Sequence, residues 1–163
     1  MEYVSSDTNI WLDFNSISKI ELPFRLDYTY IMYEEALRRE IISPQKLASR
    51  LKSLGLQGVD ITTEEFYLAE ELAVKYVKLS GYDRTALSIA KCRGIPLLTG
   101  DAALRKAAEE ESIQVMGSLG IMDKLLEDKL IKRKEYREVL QAWKAQIPLG
   151  RRLPMDEIDK RLK

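Results

Sequence analysis

Short apolar segments alternate with helix-forming segments over most of this 163-residue chain. The patterns predict strands at residues 2–6, 58–62, 95–99 and 113–116. They predict helices at 8–14, 29–42, 101–111, 118–129 and 133–146, and further helices that begin after Ser43-Pro44, at Thr62 and at Asp83. This alternation is typical of a parallel sheet with helices on both faces, and a chain of this length is expected to form one domain.

Three aspartates follow short apolar or small-residue stretches near the starts of predicted helices: Asp7, Asp83 and Asp101. The strand-to-helix junctions of a parallel sheet share one edge, where ligands bind. The three carboxylates are therefore expected to meet in one pocket, where they would repel one another unless a divalent cation lay among them. The alternative is that each aspartate simply caps its helix.

The predicted helix at 29–42 offers a fourth carboxylate. Its inward-facing stripe has helical spacing and consists of Tyr30, Tyr33, Leu37 and Ile41. Glu34 lies within this stripe and Glu35 lies at its border. The alternative is that both glutamates are solvated charges on a helix surface.

The chain has no histidine and a single cysteine, Cys92. Catalytic pairs that contain histidine and histidine-ligated zinc are therefore excluded, and a metal site must use oxygen ligands, which favours Mg²⁺ or Mn²⁺. The net charge of +0, from 26 basic and 26 acidic residues, gives no sign of a nucleic-acid partner. No apolar run approaches the length of a membrane span and no signal peptide is recognisable, so a cytoplasmic protein without a membrane partner is expected.

Five segments, in order, resemble the PIN-domain nucleases related to VapC-type toxins: residues 4–9, 32–36, 83–90, 96–107 and 113–122. The Gly150-Arg151 pair resembles a late feature of one branch of that family. The resemblance implies a three-layer α/β/α sandwich with about five parallel strands and extra C-terminal helices. It also implies an endoribonuclease that uses Mg²⁺ or Mn²⁺ and leaves 5′-phosphate and 3′-hydroxyl ends, acts as the toxin of a toxin–antitoxin pair and forms a homodimer.

The resemblance also implies a role for particular residues. The cation ligands would be Asp7, Glu35, Asp83 and Asp101. The motif favours Glu35 while the helical stripe favours Glu34, and Asp83 stands where this branch often has glutamate. Asn9 and Thr99 would orient the carboxylates through hydrogen bonds. Because Arg84 adjoins Asp83 and Arg105 lies one turn beyond Asp101, these two arginines are expected to contact RNA phosphates; the alternative is that they serve helix solubility and ion pairing.

The predicted domain boundary separates a nuclease domain at residues 1–147 from a C-terminal helical extension at 148–163 that packs on it. Trp11, Tyr30 and Tyr33 fit either the core or a subunit interface. An inactive PIN-like module that binds RNA or protein is the main functional alternative. An aspartyl-phosphate phosphatase is less favoured, because Asn9 stands where that chemistry places a second aspartate.

Overall fold

The computed structural model describes residues 2–41 and 46–163. Within these ranges the strands are β1 Glu2–Ser6, β2 Tyr28–Tyr33, β3 Gln57–Val59, β4 Leu97–Leu98 and β5 Val115–Met116. The α-helices are α1 Thr8–Ser16, α2 Glu34–Glu40, α3 Leu47–Leu54, α4 Thr63–Lys75, α5 Gly81–Arg93, α6 Ala102–Glu110, α7 Ser118–Glu127, α8 Arg133–Gln146 and α9 Met155–Leu162. Two 3-10 helices, Leu22–Arg25 and Ile147–Leu149, lie between them.

All five strands are parallel and pair in the order β3-β2-β1-β4-β5. The larger apolar cluster joins one face of the sheet, including Val4 and Leu98, to α1, α2, α3, α7, α8 and α9. The smaller cluster joins Leu97, on the other face, to α4, α5 and α6. The fold is therefore a three-layer α/β/α sandwich with a central five-stranded parallel sheet, as the sequence predicts.

The chain reverses its direction of travel through the sheet between β1 and β4. It passes from β1 to β2 and β3 on one side, and β4 then returns to pair with the other side of β1. Such a reversal leaves a crevice at the carboxyl ends of the two strands, where α/β proteins bind their ligands. The backbone N–H of Asp7 donates to the carbonyl of Leu98 over 2.9 Å, which places Asp7 at this crevice.

The predicted helix at 29–42 is wrong in its first part. Residues Tyr28–Tyr33 form the buried strand β2, and only Glu34–Glu40 are helical. A run of aromatic and β-branched side chains suits a pleated, buried strand, and pairing with both β1 and β3 decides the outcome. Trp11 and Tyr30 are fully buried within this chain, so they are core residues and not subunit contacts.

Local capping signals in the sequence are largely confirmed. The Thr62 hydroxyl accepts from the N–H of Glu65 over 3.1 Å, and the Glu65 carboxylate accepts from the N–H of Thr62 over 2.8 Å. Asp83 does not begin its helix: Ser80 is the N-cap of α5 and Asp83 is the third residue of that helix. The cap expected at Ser43-Pro44 lies outside the described residues.

The C-terminal segment packs on the larger cluster through Ile158, which is fully buried. Arg161 holds α9 against α7 through hydrogen bonds of 2.8–3.1 Å to Asp123. No helix within the described ranges is long and apolar enough to cross a membrane.

Candidate active site

Asp7 occupies the end of β1 and is the N-cap of α1. Its Oδ1 accepts from the N–H of Thr8 over 2.7 Å, and its Oδ2 accepts from the Thr99 hydroxyl over 2.9 Å. The residue is only 7% exposed. Both carboxylate oxygens are therefore held in one orientation at the crevice between β1 and β4.

The electrostatic surroundings of Asp7 are unfavourable to its negative charge. Burial, together with the charges of Asp83 and Glu40, raises the pKa of Asp7 to about 6, although the hydrogen bonds from Thr99 and Thr8 oppose the rise. No lysine or arginine of the described residues forms an ion pair with this carboxylate. A cation bound beside Asp7 would relieve the repulsion among these acids.

Thr99 connects two of the predicted acids. Its buried hydroxyl donates to Asp7 and accepts from the backbone N–H of Asp101 over 3.1 Å. The Asp101 carboxylate in turn caps α6 by accepting from the N–H of Leu104 over 2.8 Å. Thr99 thus holds one oxygen of the Asp7 carboxylate in place, and it fixes the start of the segment that carries Asp101.

Asp83 contributes charge and also has a structural task. One of its carboxylate oxygens accepts from the N–H of Ser80 over 3.1 Å, and the Ser80 hydroxyl accepts from the N–H of Asp83 over the same distance. Because its charge acts on Asp7, Asp83 lies near the crevice. The capping explanation therefore applies to this residue, and its charge also acts on Asp7.

The structure brings Glu40, rather than either predicted glutamate, to the crevice. Glu40 accepts from the hydroxyl of Thr8, the residue after Asp7, over 2.7 Å. Glu34 pairs with Lys52 over 2.7 Å. Glu35 accepts from the Tyr33 hydroxyl over 2.8 Å. Since α2 begins only at Glu34, its last turn, not its first, lies beside α1.

The remaining predicted residues differ in their surroundings. Asn9 is exposed on the first turn of α1, and its side chain forms no hydrogen bond with a described residue. The Arg84 guanidinium donates to the carbonyl of Leu79 over 2.8 Å. The Arg105 guanidinium donates to the carbonyl of Thr99 over 3.4 Å, which places a positive charge beside the end of β4.

A residue that the sequence analysis missed is Asp13 on α1, six positions after Asp7. Its buried carboxylate accepts from Arg151 over 2.8 Å and from the Ser118 hydroxyl over 3.0 Å. Burial raises the pKa of Asp13, and the hydrogen bonds from Arg151 and Ser118 oppose the rise. This contact ties the C-terminal segment to α1. Its only trace in the sequence is the Gly150-Arg151 pair.

The acidic donors suit a hard divalent cation, because all of them are carboxylate oxygens. In the described parts of the chain, however, no three histidine, cysteine, aspartate or glutamate side chains stand close enough together to hold a metal ion as they lie. Asp83 and Asp101 use carboxylate oxygens to cap helices. The donor chemistry therefore fits Mg²⁺ or Mn²⁺, while the described residues do not form a preformed cluster of three ligands.

A model of one protein family, described as PIN domain, matches residues 3–163 of this chain. The match extends across the predicted boundary at residue 147 and includes the C-terminal helix α9. No curated protein and no solved structure matches the chain significantly.

Proposed function

The chain belongs to the PIN-domain family, whose members are in general nucleases, and on this basis we propose that it is a metal-dependent endoribonuclease that hydrolyses RNA phosphodiester bonds. The observation that carries the proposal is the buried Asp7 carboxylate, which has a pKa of about 6 beside Asp83 and Glu40. The chain has no histidine that could act as a general base, and this fits a reaction in which a metal ion activates water.

Four carboxylates would hold the Mg²⁺ or Mn²⁺ ion, directly or through water molecules: Asp7, Asp83, Asp101 and Glu40. When bound, the ion lowers the pKa of the attacking water and neutralises charge on the phosphate. Thr99 keeps the Asp7 carboxylate in its orientation through a hydrogen bond of 2.9 Å. Arg105 would contact a phosphate of the substrate, because its guanidinium lies at the end of β4.

We expect the full-length protein to cut single-stranded RNA with Mg²⁺ or Mn²⁺ and to be inactive in EDTA. The Asp101→Asn variant removes a negative ligand, and its cleavage rate should fall by about 10²–10³-fold. The matched control is Asp128→Asn, an exposed aspartate whose contact with Lys124 measures 3.7 Å and whose loss should change little. A folded Asp101→Asn variant that cleaves like the wild type would contradict the proposal.

The glutamate of the site can be identified with a second pair of variants. Glu40→Gln should lower the cleavage rate by about 10–100-fold, because it removes a charge that contacts Thr8 and acts on Asp7. Glu35→Gln should stay within about twofold of the wild type, because its partners are Tyr33 and Arg39. The reverse result in a cleavage assay would return the role to Glu35.

The alternative function, an inactive PIN-like module that binds RNA or protein, is favoured by one observation. Within the described ranges no three acidic side chains are grouped tightly enough to hold an ion. Calorimetric titration with Mn²⁺ separates the two functions. The nuclease must bind the ion and lose that binding in Asp7→Asn, whereas heat equal to that of dilution, together with absent cleavage, would favour the module.

We extend the proposal to a cytoplasmic toxin that forms a homodimer and is neutralised by an antitoxin. The support for this extension is the resemblance to VapC-type toxins. Growth arrest on induced expression, prevented by a small DNA-binding protein encoded next to the gene, is the expected behaviour. An active nuclease that leaves growth unchanged would point to a housekeeping enzyme instead.

A further inference from the structure

Two neighbouring cavities form one groove beside the acidic site. The first, of about 860 Å³, is lined by Asn9 and Asp101. The second, of about 680 Å³, is lined by Arg105. Both cavities share Gly100 and Arg152 as wall residues. The groove therefore leads from the acidic edge of the sheet to a region of positive charge.

Two of the three arginines that line the second cavity have guanidinium groups available for a ligand. Arg161 is already neutralised, because it pairs with Asp123 over 2.8 Å and with Glu157 over 3.1 Å. Arg152 is exposed, and its side chain forms no hydrogen bond or ion pair with any described residue. Arg105 has a hydrogen bond of 3.4 Å to the Thr99 carbonyl. Most N–H groups of Arg105 and all those of Arg152 are therefore not used by any described residue and can bind an anion.

The backbone next to Arg152 is held in place from the inside of the molecule. The preceding residue, Arg151, forms its ion pair with the buried Asp13 over 2.8 Å, and its N–H donates to the Gln146 carbonyl over 3.2 Å. Gly150 supplies the turn with φ of 106°, a conformation that glycine adopts without strain. Arg152 is thus presented at the shared wall of the groove by a segment that is already ordered.

The position of Arg105 requires a glycine at residue 117. A Cβ atom added at Gly117 would lie 2.6 Å from the Arg105 Nη2 atom, so the guanidinium packs directly against this glycine. From there the group faces the second cavity while it remains beside the end of β4. A planar guanidinium held in this way matches the geometry of phosphate oxygens.

We propose that Arg152 and Arg105 bind phosphates of an unpaired RNA strand that runs along this groove, next to the scissile bond. The proposal deepens the nuclease function above and rests on it. No aromatic side chain of the described residues lines either cavity, so base stacking is not available there. The groove therefore holds the RNA backbone, independently of base sequence and with a strong dependence on salt.

The test measures equilibrium binding in EDTA, where no metal-dependent cleavage occurs. The probe is a fluorescein-labelled, unstructured RNA of about 12 nucleotides, titrated between about 50 and 300 mM KCl. Arg152→Ala and Arg105→Ala should each weaken binding about tenfold and reduce the slope of log K against log salt by about 0.7. Arg152→Lys keeps the charge and should keep the slope. The matched control is Arg50→Ala, an exposed arginine on α3, the helix that precedes the edge strand β3, and it should leave both quantities unchanged.

The outcomes separate this groove from the nuclease function. If the affinity and the salt slope stay at wild-type values in folded Arg152→Ala and Arg105→Ala, the proposed RNA-binding role of the groove is wrong, even if the protein cleaves RNA. If binding is salt-dependent and needs both arginines, but the wild-type protein never cleaves with Mg²⁺ or Mn²⁺, the RNA-binding role of the groove is supported and the proposed nuclease function is wrong. In an active enzyme Arg152→Ala should raise KM with kcat preserved, whereas Asp101→Asn should lower kcat.

Discussion

The Asp7→Asn variant is expected to lose RNA cleavage by about 10³-fold and, without metal, to be more stable than the wild type at neutral pH. The loss of activity follows from the removal of the most buried acid of the site. The gain in stability follows from the pKa of Asp7, which burial raises from 3.8 to about 6 in the folded state. Ionisation of this carboxylate at neutral pH therefore opposes folding.

The pKa of Asp7 is higher in the folded protein than in the unfolded chain, and this sets the direction of the pH dependence. Because the folded value is the higher one, protonated Asp7 stabilises the fold fully below pH 3.8, and this contribution disappears as the pH rises through about 6. The wild type should lose about 3 kcal/mol in free energy of unfolding across this range. Asn cannot ionise, so Asp7→Asn should exceed the wild type by up to this amount at pH 7.5, and the difference should shrink toward pH 4.

Urea unfolding in EDTA at several pH values measures this difference, and saturating Mn²⁺ should reverse it. An ion that binds only the folded wild type adds about 2.7 kcal/mol at a concentration of 100 Kd. The Asp128→Asn control should follow the wild-type curve throughout. An Asp7→Asn variant no more stable than the wild type at pH 7.5 would show that the acids at this edge do not strain the metal-free fold.

The elements that the sequence predicts well are those whose ends are marked by local signals, such as capping residues and glycines. The capping box of Thr62 and Glu65 and the glycine at 94, with φ of 64°, mark the start of α4 and the end of α5. Short apolar segments between such signals become the strands. Their alternation with helices is sufficient for the three-layer fold, and it also places Asp7 and Asp101 at the same edge.

The boundary between β2 and α2 could not be predicted, because nothing local marks it. Tyr33 precedes the first helical residue without a side-chain cap bond, and no glycine or proline separates strand from helix. The spacing of Tyr30, Tyr33 and Leu37 happens to suit a helix. Pairing of residues 28–33 with both neighbouring strands overrides that pattern. As a result Glu40, and not Glu35, contacts Thr8 next to Asp7.

The groove depends on contacts that join distant parts of the chain. Asp13 and Arg151 are 138 positions apart, and neither residue belongs to a pattern that identifies its partner. Asp13 has the sequence surroundings of an ordinary helix acid. Only the folded chain shows that it is buried under the C-terminal segment, and that this contact brings Arg152 to the acidic edge.

The largest loss of stability is expected from Glu65→Gln. Glu65 is 1% exposed, and its carboxylate accepts from Arg93 Nε over 2.7 Å and from Arg93 Nη2 over 3.1 Å. Gln presents N–H donors to a guanidinium that needs acceptors, so the charge of Arg93 would lose its partner. We expect a loss of about 3 kcal/mol in free energy of unfolding, at the low end for broken buried pairs because Arg93 is partly exposed.

The neighbouring Glu64→Gln is the matched control. Glu64 is exposed on the same helical turn, so its substitution should lower the free energy of unfolding by less than about 0.5 kcal/mol.

Burial alone would raise the pKa of Glu65, but the hydrogen bonds from Arg93 and Thr62 outweigh it and lower the pKa below 4.5. The stabilisation is therefore complete above pH 4.5 and decreases as the pH falls through the folded value. Urea unfolding should show the wild type and Glu65→Gln converging in acid. A constant difference down to the lowest pH would mean that packing, and not the ion pair, joins α4 to α5.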